Sequence, residues 1–178
     1  MDKETTLKLI QQIKILATQL EASFANIPYE QKSYDLSRAY QIIKEFEGCV
    51  LHAYQDPGGV WTIGWGHTGR DVTPGQTITQ NEADELFAKD IEPLKANLLS
   101  LLDSKKIYAS TGEVCALLSF AYNCGFSALQ NSTLFRLYCA GNKQAAADQF
   151  LVWTHDSVGH ELPGLVRRRK EERNLFLS

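Results

Sequence analysis

Several functional classes are excluded by what the chain lacks. Its four cysteines (Cys49, Cys115, Cys124 and Cys139) include no CxxC pair, so the common zinc and redox spacings are missing. Four cysteines in 178 residues are also too few for a disulfide scaffold, and they are expected to serve as small buried hydrophobes. No apolar run reaches the roughly 18 residues that a membrane span needs. The nearest, Leu7 to Phe24, is interrupted by Lys8, Gln11, Gln12, Lys14, Gln19 and Glu21. No apolar N-terminal run precedes a small-residue cleavage site, which points to a protein made and kept in the cytoplasm. Excess positive charge is missing too. The 18 basic and 21 acidic residues leave a net charge of −3, which argues against a dedicated nucleic-acid binder. Internal repeats and low-complexity segments are absent. What is present is an ordinary globular composition, 44% hydrophobic and 22% charged, at a length that suits one domain with a little to spare.

The surplus lies at the N-terminus. Ile10, Ile13, Ala17, Leu20 and Phe24 recur at helical spacing and form one apolar stripe, and the polar face mixes both charges. A membrane-surface helix would be richer in lysine and arginine. Residues 1–35 therefore read as an amphipathic helical extension that packs on the domain or on another chain. Ala25-Asn26-Ile27-Pro28 ends it. A second helix runs from about Asp35 or Ser37 to Glu47, with Ser37 as N-cap, Ile43 and Phe46 inward, and Gly48 as the stop.

A small hairpin follows. Cys49 to Tyr54 leads into the turn Asp56-Pro57-Gly58-Gly59, and Val60 to Trp65 alternates. Trp61, Ile63 and Trp65 share a greasy face, and Thr62, Gly64 and Gly66 share a bare polar one. The remainder is helical. Thr79 with Glu82, and Ser110 with Glu113, form capping-box patterns. Pro93 is expected to start or kink a helix ending near Leu102. Val114 to Tyr122 is almost wholly apolar and reads as the buried central helix, closed by Asn123-Cys124-Gly125. Short helices are expected from Ser132 to Ala140 and from Asn142 to about Trp153. Thr154 to Leu162 reads as a loop, and Pro163 opens a last helix to about Leu177. The fold class is α+β and mainly helical.

Three residues suggest chemistry by placement. Glu47 closes a helix beside the hairpin, Asp56 follows nine residues later at the turn, and Thr62 six after that on the bare face. A helix end facing a hairpin makes a concave corner. One carboxyl there, made more basic by apolar surroundings, can protonate a leaving oxygen. The other, with the hydroxyl, can orient a water. Taken by type and spacing alone, the same residues also suit a solvated helix end, a turn aspartate and a strand threonine.

The run Phe46-Glu47-Gly48, then Ala53-Tyr54-Gln55-Asp56-Pro57-Gly58-Gly59-Val60-Trp61-Thr62-Ile63-Gly64-Trp65-Gly66-His67-Thr68, resembles the catalytic segment of the phage-type lysozymes, the endolysins of glycoside hydrolase family 24. The resemblance continues through Ala116 to Gly125, Asn131 to Leu134, Ala146 to Phe150 and Leu162 to Arg173, and spans about Ser37 to Phe176. It implies a lysozyme-like fold over residues 36–178, with a small sheet lobe and a larger helical lobe. It implies Glu47 as general acid, Asp56 as the carboxylate that steadies water and the developing positive charge, and Thr62 as the partner that holds the water. The family is regarded as inverting, with its carboxyl groups roughly 6.5–9.5 Å apart. The implied substrate is peptidoglycan, cut between N-acetylmuramic acid and N-acetylglucosamine, with no metal and no cofactor. Asn123 and His67 are candidate substrate contacts, each with a structural reading beside it. Trp61 and Trp65 read as core, and Arg167, Arg168 and Arg169 as an ordinary charged helix face.

Family resemblance also suggests host lysis as the setting, with release from the cytoplasm to the wall through a holin pore. A virion-associated or bacteriocin-type muramidase and a catalytically silent wall-binding module are the alternatives. Some relatives carry an N-terminal signal-arrest segment, and this extension is too polar for one. Cys49 stands where an aliphatic residue is usual, which admits regulation by disulfide exchange.

Overall fold

The computed structural model describes residues 3–25, 33–56, 58–156 and 158–178. Helix α1 (Lys3–Ala25) is followed by α2 (Ser37–Glu47), then strands β1 (Val50–Gln55), β2 (Trp61–Gly64) and β3 (His67–Thr68). Six further helices complete the chain: α3 (Gln80–Ser104), α4 (Thr111–Cys124), α5 (Phe126–Asn131), α6 (Thr133–Cys139), α7 (Lys143–Asp148) and α8 (Pro163–Leu177). A 3-10 stretch, Gln149–Val152, extends α7.

The body is built around α4. Every residue from Glu113 to Ala121 is buried, so this helix has no solvent face along its middle. Such all-round burial needs partners on every side, and α2, α3, α5 and α8 supply them. Phe120 stacks edge-on against both Phe150 and Trp153, with ring centroids 5.6 and 5.1 Å away. Both expected capping boxes are present, at Thr79–Glu82 and Ser110–Glu113. They satisfy backbone donors that a helix start otherwise leaves open.

The sheet lobe is three antiparallel strands in sequence order, one more than a hairpin. Tyr54 pairs with Thr62 and Thr62 with Thr68, so these three side chains form a row across it. The pairing of β1 with β2 is irregular between Val50 and Tyr54. On the free edge of β1, Ala53 N–H donates to Gln76 O and Ile78 N–H to Leu51 O.

Several expectations are corrected. The bare face of the hairpin is covered: Thr62 is 4% exposed, and Gly64 lies against Ala83 of α3, where a Cβ would meet the alanine at 3.4 Å. Pro93 does not start a helix but sits inside the 25-residue α3. Ser37 is not the cap of α2; its N–H donates to Asp35 Oδ1 two residues earlier. Helix α5 had no anticipated counterpart. The stripe on α1 does not pack on the body among the described residues, and Leu7, Ile13, Leu16 and Leu20 are each about 60% exposed. Phe24's side chain lies outside the described residues, as do Asn26 to Pro28. Of the four free cysteines only Cys115 is buried; Cys49 and Cys124 are half-buried and Cys139 is exposed.

Candidate active site

Glu47 is the last residue of α2, and Gly48 turns the chain out of it at φ 68°. Positive φ is easy for glycine and strained for other residues. That turn leaves Glu47 at the edge of the sheet lobe. A Cβ on Gly66 would come within 3.5 Å of Glu47 Oε2, so the bare glycine keeps space open at the carboxylate.

Asp56 closes the β1–β2 turn. Its N–H donates to Val60 O, its carbonyl accepts from Gly59 N–H, and its Oδ1 accepts from Val60 N–H at 2.8 Å. A side chain at Gly58 would start 3.2 Å from that same oxygen. Thr62 donates its hydroxyl to Val60 O at 3.1 Å, which leaves the oxygen able to accept from another donor. Tyr54 of β1 is the residue paired with Thr62. Burial raises its phenol pKa first, and the charges of Glu47 and Asp56 raise it further. One exposed phenol thus lies within electrostatic reach of both acids.

The expectation of apolar surroundings for Glu47 is corrected. Arg168 Nη1 donates to Glu47 Oε1 at 2.7 Å, and that arginine is 2% exposed. The reading of Arg167 to Arg169 as an ordinary charged face fails for two of the three. Arg168 and Arg169 are both buried, as is Glu172. Arg168 Nε and Arg169 Nη1 donate to opposite oxygens of Glu172, at 3.2 and 2.7 Å. Ser119 of α4 donates its hydroxyl to Glu172 at 2.7 Å, and its carbonyl accepts from Arg168 Nη2. Burial pushes the Glu172 carboxyl up, and the two guanidiniums oppose that shift. No local pattern distinguishes these residues from surface charge. The available signal was their spacing: residue 172 lies one turn beyond both 168 and 169.

Asn123 sits at the exposed end of α4. Its Oδ1 accepts a short hydrogen bond from Arg169 Nη2. A carbonyl oxygen turned to a guanidinium leaves the amide NH2 on the other side. His67 differs. Its Nδ1 faces Asp90 at 2.9 Å and its Nε2 faces Asp71 at 3.2 Å, so both ring nitrogens are engaged within the chain. The structure makes His67 a brace between β3 and α3. Burial works against its protonation, but the carboxylates outweigh burial and its pKa is raised. Trp65 packs at the core edge as expected. Its Nε1 donates to Asp84, and Lys44 Nζ lies 4.9 Å from the ring centre. Tyr122 donates to the Trp65 carbonyl at 3.0 Å, and burial chiefly raises its phenol pKa. Among the described residues no cluster of histidine, cysteine or carboxylate side chains could hold a metal.

A small sheet lobe facing a helix-end glutamate, backed by helices around one apolar helix, defines a lysozyme-like protein. Residues 44–172 match the phage lysozyme family, and the chain belongs to it. It is 42% identical over 139 residues to the endolysin of Bacillus phage B103, covering 77% of this chain and 51% of that protein. It is 39% identical over 140 residues to the endolysin of Salmonella phage P22, covering 76% and 92%. The chain therefore spans about half the length of the first relative and nearly all of the second. Among solved structures, the muramidase domain of SpmX from Asticaccaulis excentricus superposes with a TM-score of 0.72 at 32% identity, over 82% of this chain and 99% of that one.

Proposed function

We propose that this chain is a phage endolysin, a muramidase that hydrolyses the β-1,4 bond between N-acetylmuramic acid and N-acetylglucosamine in peptidoglycan. The observation that carries the reading is the corner itself. Glu47 at a helix end and Asp56 at a turn both act electrostatically on the Tyr54 phenol, and Thr62 on the adjoining strand pairs with Tyr54. Glu47 protonates the glycosidic oxygen as the bond to the leaving sugar breaks. Asp56 takes a proton from the attacking water, and the Thr62 oxygen accepts its other hydrogen. Attack from the face opposite the leaving group inverts the anomeric carbon. Asn123 offers its amide NH2 to the substrate. His67 supports β3 through Asp90 and Asp71.

Residues 36–178 form the catalytic domain in this reading, and residues 1–35 a separate extension. The family match lies within the former, and the apolar residues of α1 are exposed. No described helix is long and apolar enough to cross a membrane. We infer that the enzyme accumulates in the host cytoplasm and reaches the wall through a holin pore at lysis. The test is clearing of chloroform-treated Gram-negative cells by the wild type and by Glu47→Gln. Loss of a general acid costs about 10²–10⁴-fold in rate. Equal clearing by the two proteins would refute the assignment.

A further inference from the structure

One buried carboxylate stands behind both groups that face the proposed cleft. Arg168 has three nitrogens, and each is held by a different element: Nε by Glu172 of α8, Nη1 by Glu47 of α2, and Nη2 by the Ser119 carbonyl of α4. Arg169 is held by Glu172 and Asn123, lies 4.9 Å over the Phe120 ring, and has no hydrogen-bond partner for its Nε among the described residues. Adjacent helix residues normally diverge by about 100° around the axis. These two converge because Glu172 lies three residues beyond one and four beyond the other.

We propose that Glu172 is a positioning residue: it holds Arg168 against Glu47 and Arg169 against Asn123, and its charge offsets that of Arg168. The proposal rests on the reading of Glu47 as general acid. Arg168 alone would favour the ionised form of Glu47, which cannot donate a proton. Glu172 on the far side of the same guanidinium weakens that pull. Other charged or titratable groups face the pair. From α4 come Tyr122, which feels Glu47 and, from α3, Asp90, and Cys124, which feels Glu172. From the sheet come Tyr54 and Asp56. Arg169 feels Glu47 as well as Glu172. None of these groups touches both arginines as Glu172 does.

The test measures new reducing ends from purified peptidoglycan across pH, for the wild type, Glu172→Gln, Glu172→Asp and Glu47→Gln, with thermal unfolding recorded for each. Glu172→Gln is expected to move the alkaline limb of the rate profile to lower pH and to cut the rate near neutrality about tenfold or more. Glu172→Asp keeps the charge and is expected to restore the limb, at a reduced rate because its reach is shorter. If Glu172→Gln does not fold, the double variant Arg169→Met with Glu172→Gln removes a buried cation together with its anion, a change often tolerated. The same shifted limb is expected there. A folded Glu172→Gln or double variant with the wild-type limb and a rate within about twofold overturns the proposal. So does a Glu172→Asp limb shifted as far as that of the glutamine variant. Full activity in Glu47→Gln would instead refute the general acid, whatever the Glu172 variants do.

Discussion

The chain makes the same turn twice, and only one copy borders the proposed site. Asp56 and Asp156 each donate their N–H to the carbonyl four residues on, accept at their own carbonyl from a glycine N–H three residues on, and accept at Oδ1 from the N–H four residues on. The first turn joins β1 to β2. The second sits in the stretch read as a loop, where His155 bridges to Glu161 and Leu162 N–H donates to Thr154 O. Their surroundings differ. Asp56 shares Tyr54 with Glu47. Asp156 faces His160 at 3.4 Å, on a ring 78% exposed. Backbone donation, led by the His160 N–H, holds the Asp156 carboxyl below its ordinary range. Turn chemistry accounts for an aspartate at both places. Only at the first does a second acid, Glu47, act on the same phenol.

Four substitutions would break or sharpen that contrast. The largest effect is expected from Arg168→Met, which removes the buried cation beside Glu47 and leaves Glu172 with Arg169 as its one guanidinium. Breaking a buried pair of this kind costs about 3–5 kcal/mol, and denaturant unfolding would read it. Asp56→Asn comes next. The amide keeps the Oδ1 acceptor for Val60 N–H, so unfolding should change little. Hydrolysis of peptidoglycan should fall by about 100-fold or more, since the base for water is gone. Retained activity would make Asp56 a second Asp156.

His67→Asn sharpens the sheet side of the contrast by pH. His67 has a raised folded-state pKa, so its stabilisation is full below the unfolded value of about 6.5 and fades as pH rises through the folded value. The gap in Tm between wild type and variant should be widest near pH 5 and should close at alkaline pH. Asp156→Asn should show the smallest effect and the opposite sign. Its lowered pKa gives a stabilisation present above the unfolded value and lost as pH falls through the folded one. Any gap in Tm should appear at neutral pH and vanish in acid, with activity within about twofold of wild type.

Local signals carried most of the fold. Capping boxes at Thr79 and Ser110 marked two helix starts to the residue, because a cap is a contact between near neighbours. The apolar run from Val114 marked the centre, because only burial tolerates it. Pro93 starts no helix: its own N–H is missing, yet α3, packed on α4, runs through it. Glu47, Asp56 and Thr62 were legible through a resemblance, since their types and spacing also suit ordinary caps, turns and strands. The support beneath them was not. Arg168 meets Glu47 across 121 positions, and Arg169 meets Asn123 across 46. The spacing within α8 marks Glu172 as a partner for both arginines, but not that the cluster is buried, because the groups that enclose it lie on α2 and α4. The stripe on α1 shows the reverse limit. Its amphipathic pattern was legible, yet the described body does not cover it.

The most direct measurement is the chemistry of the new ends. Purified peptidoglycan is digested with wild type and with Glu47→Gln at matched fold stability, and the products are reduced with borohydride and identified by mass spectrometry. The account predicts reducing N-acetylmuramic acid ends from the wild type, and at least about 100-fold fewer from the variant. Reducing N-acetylglucosamine ends, cleaved peptide bonds, or equal yields from the two proteins would contradict it.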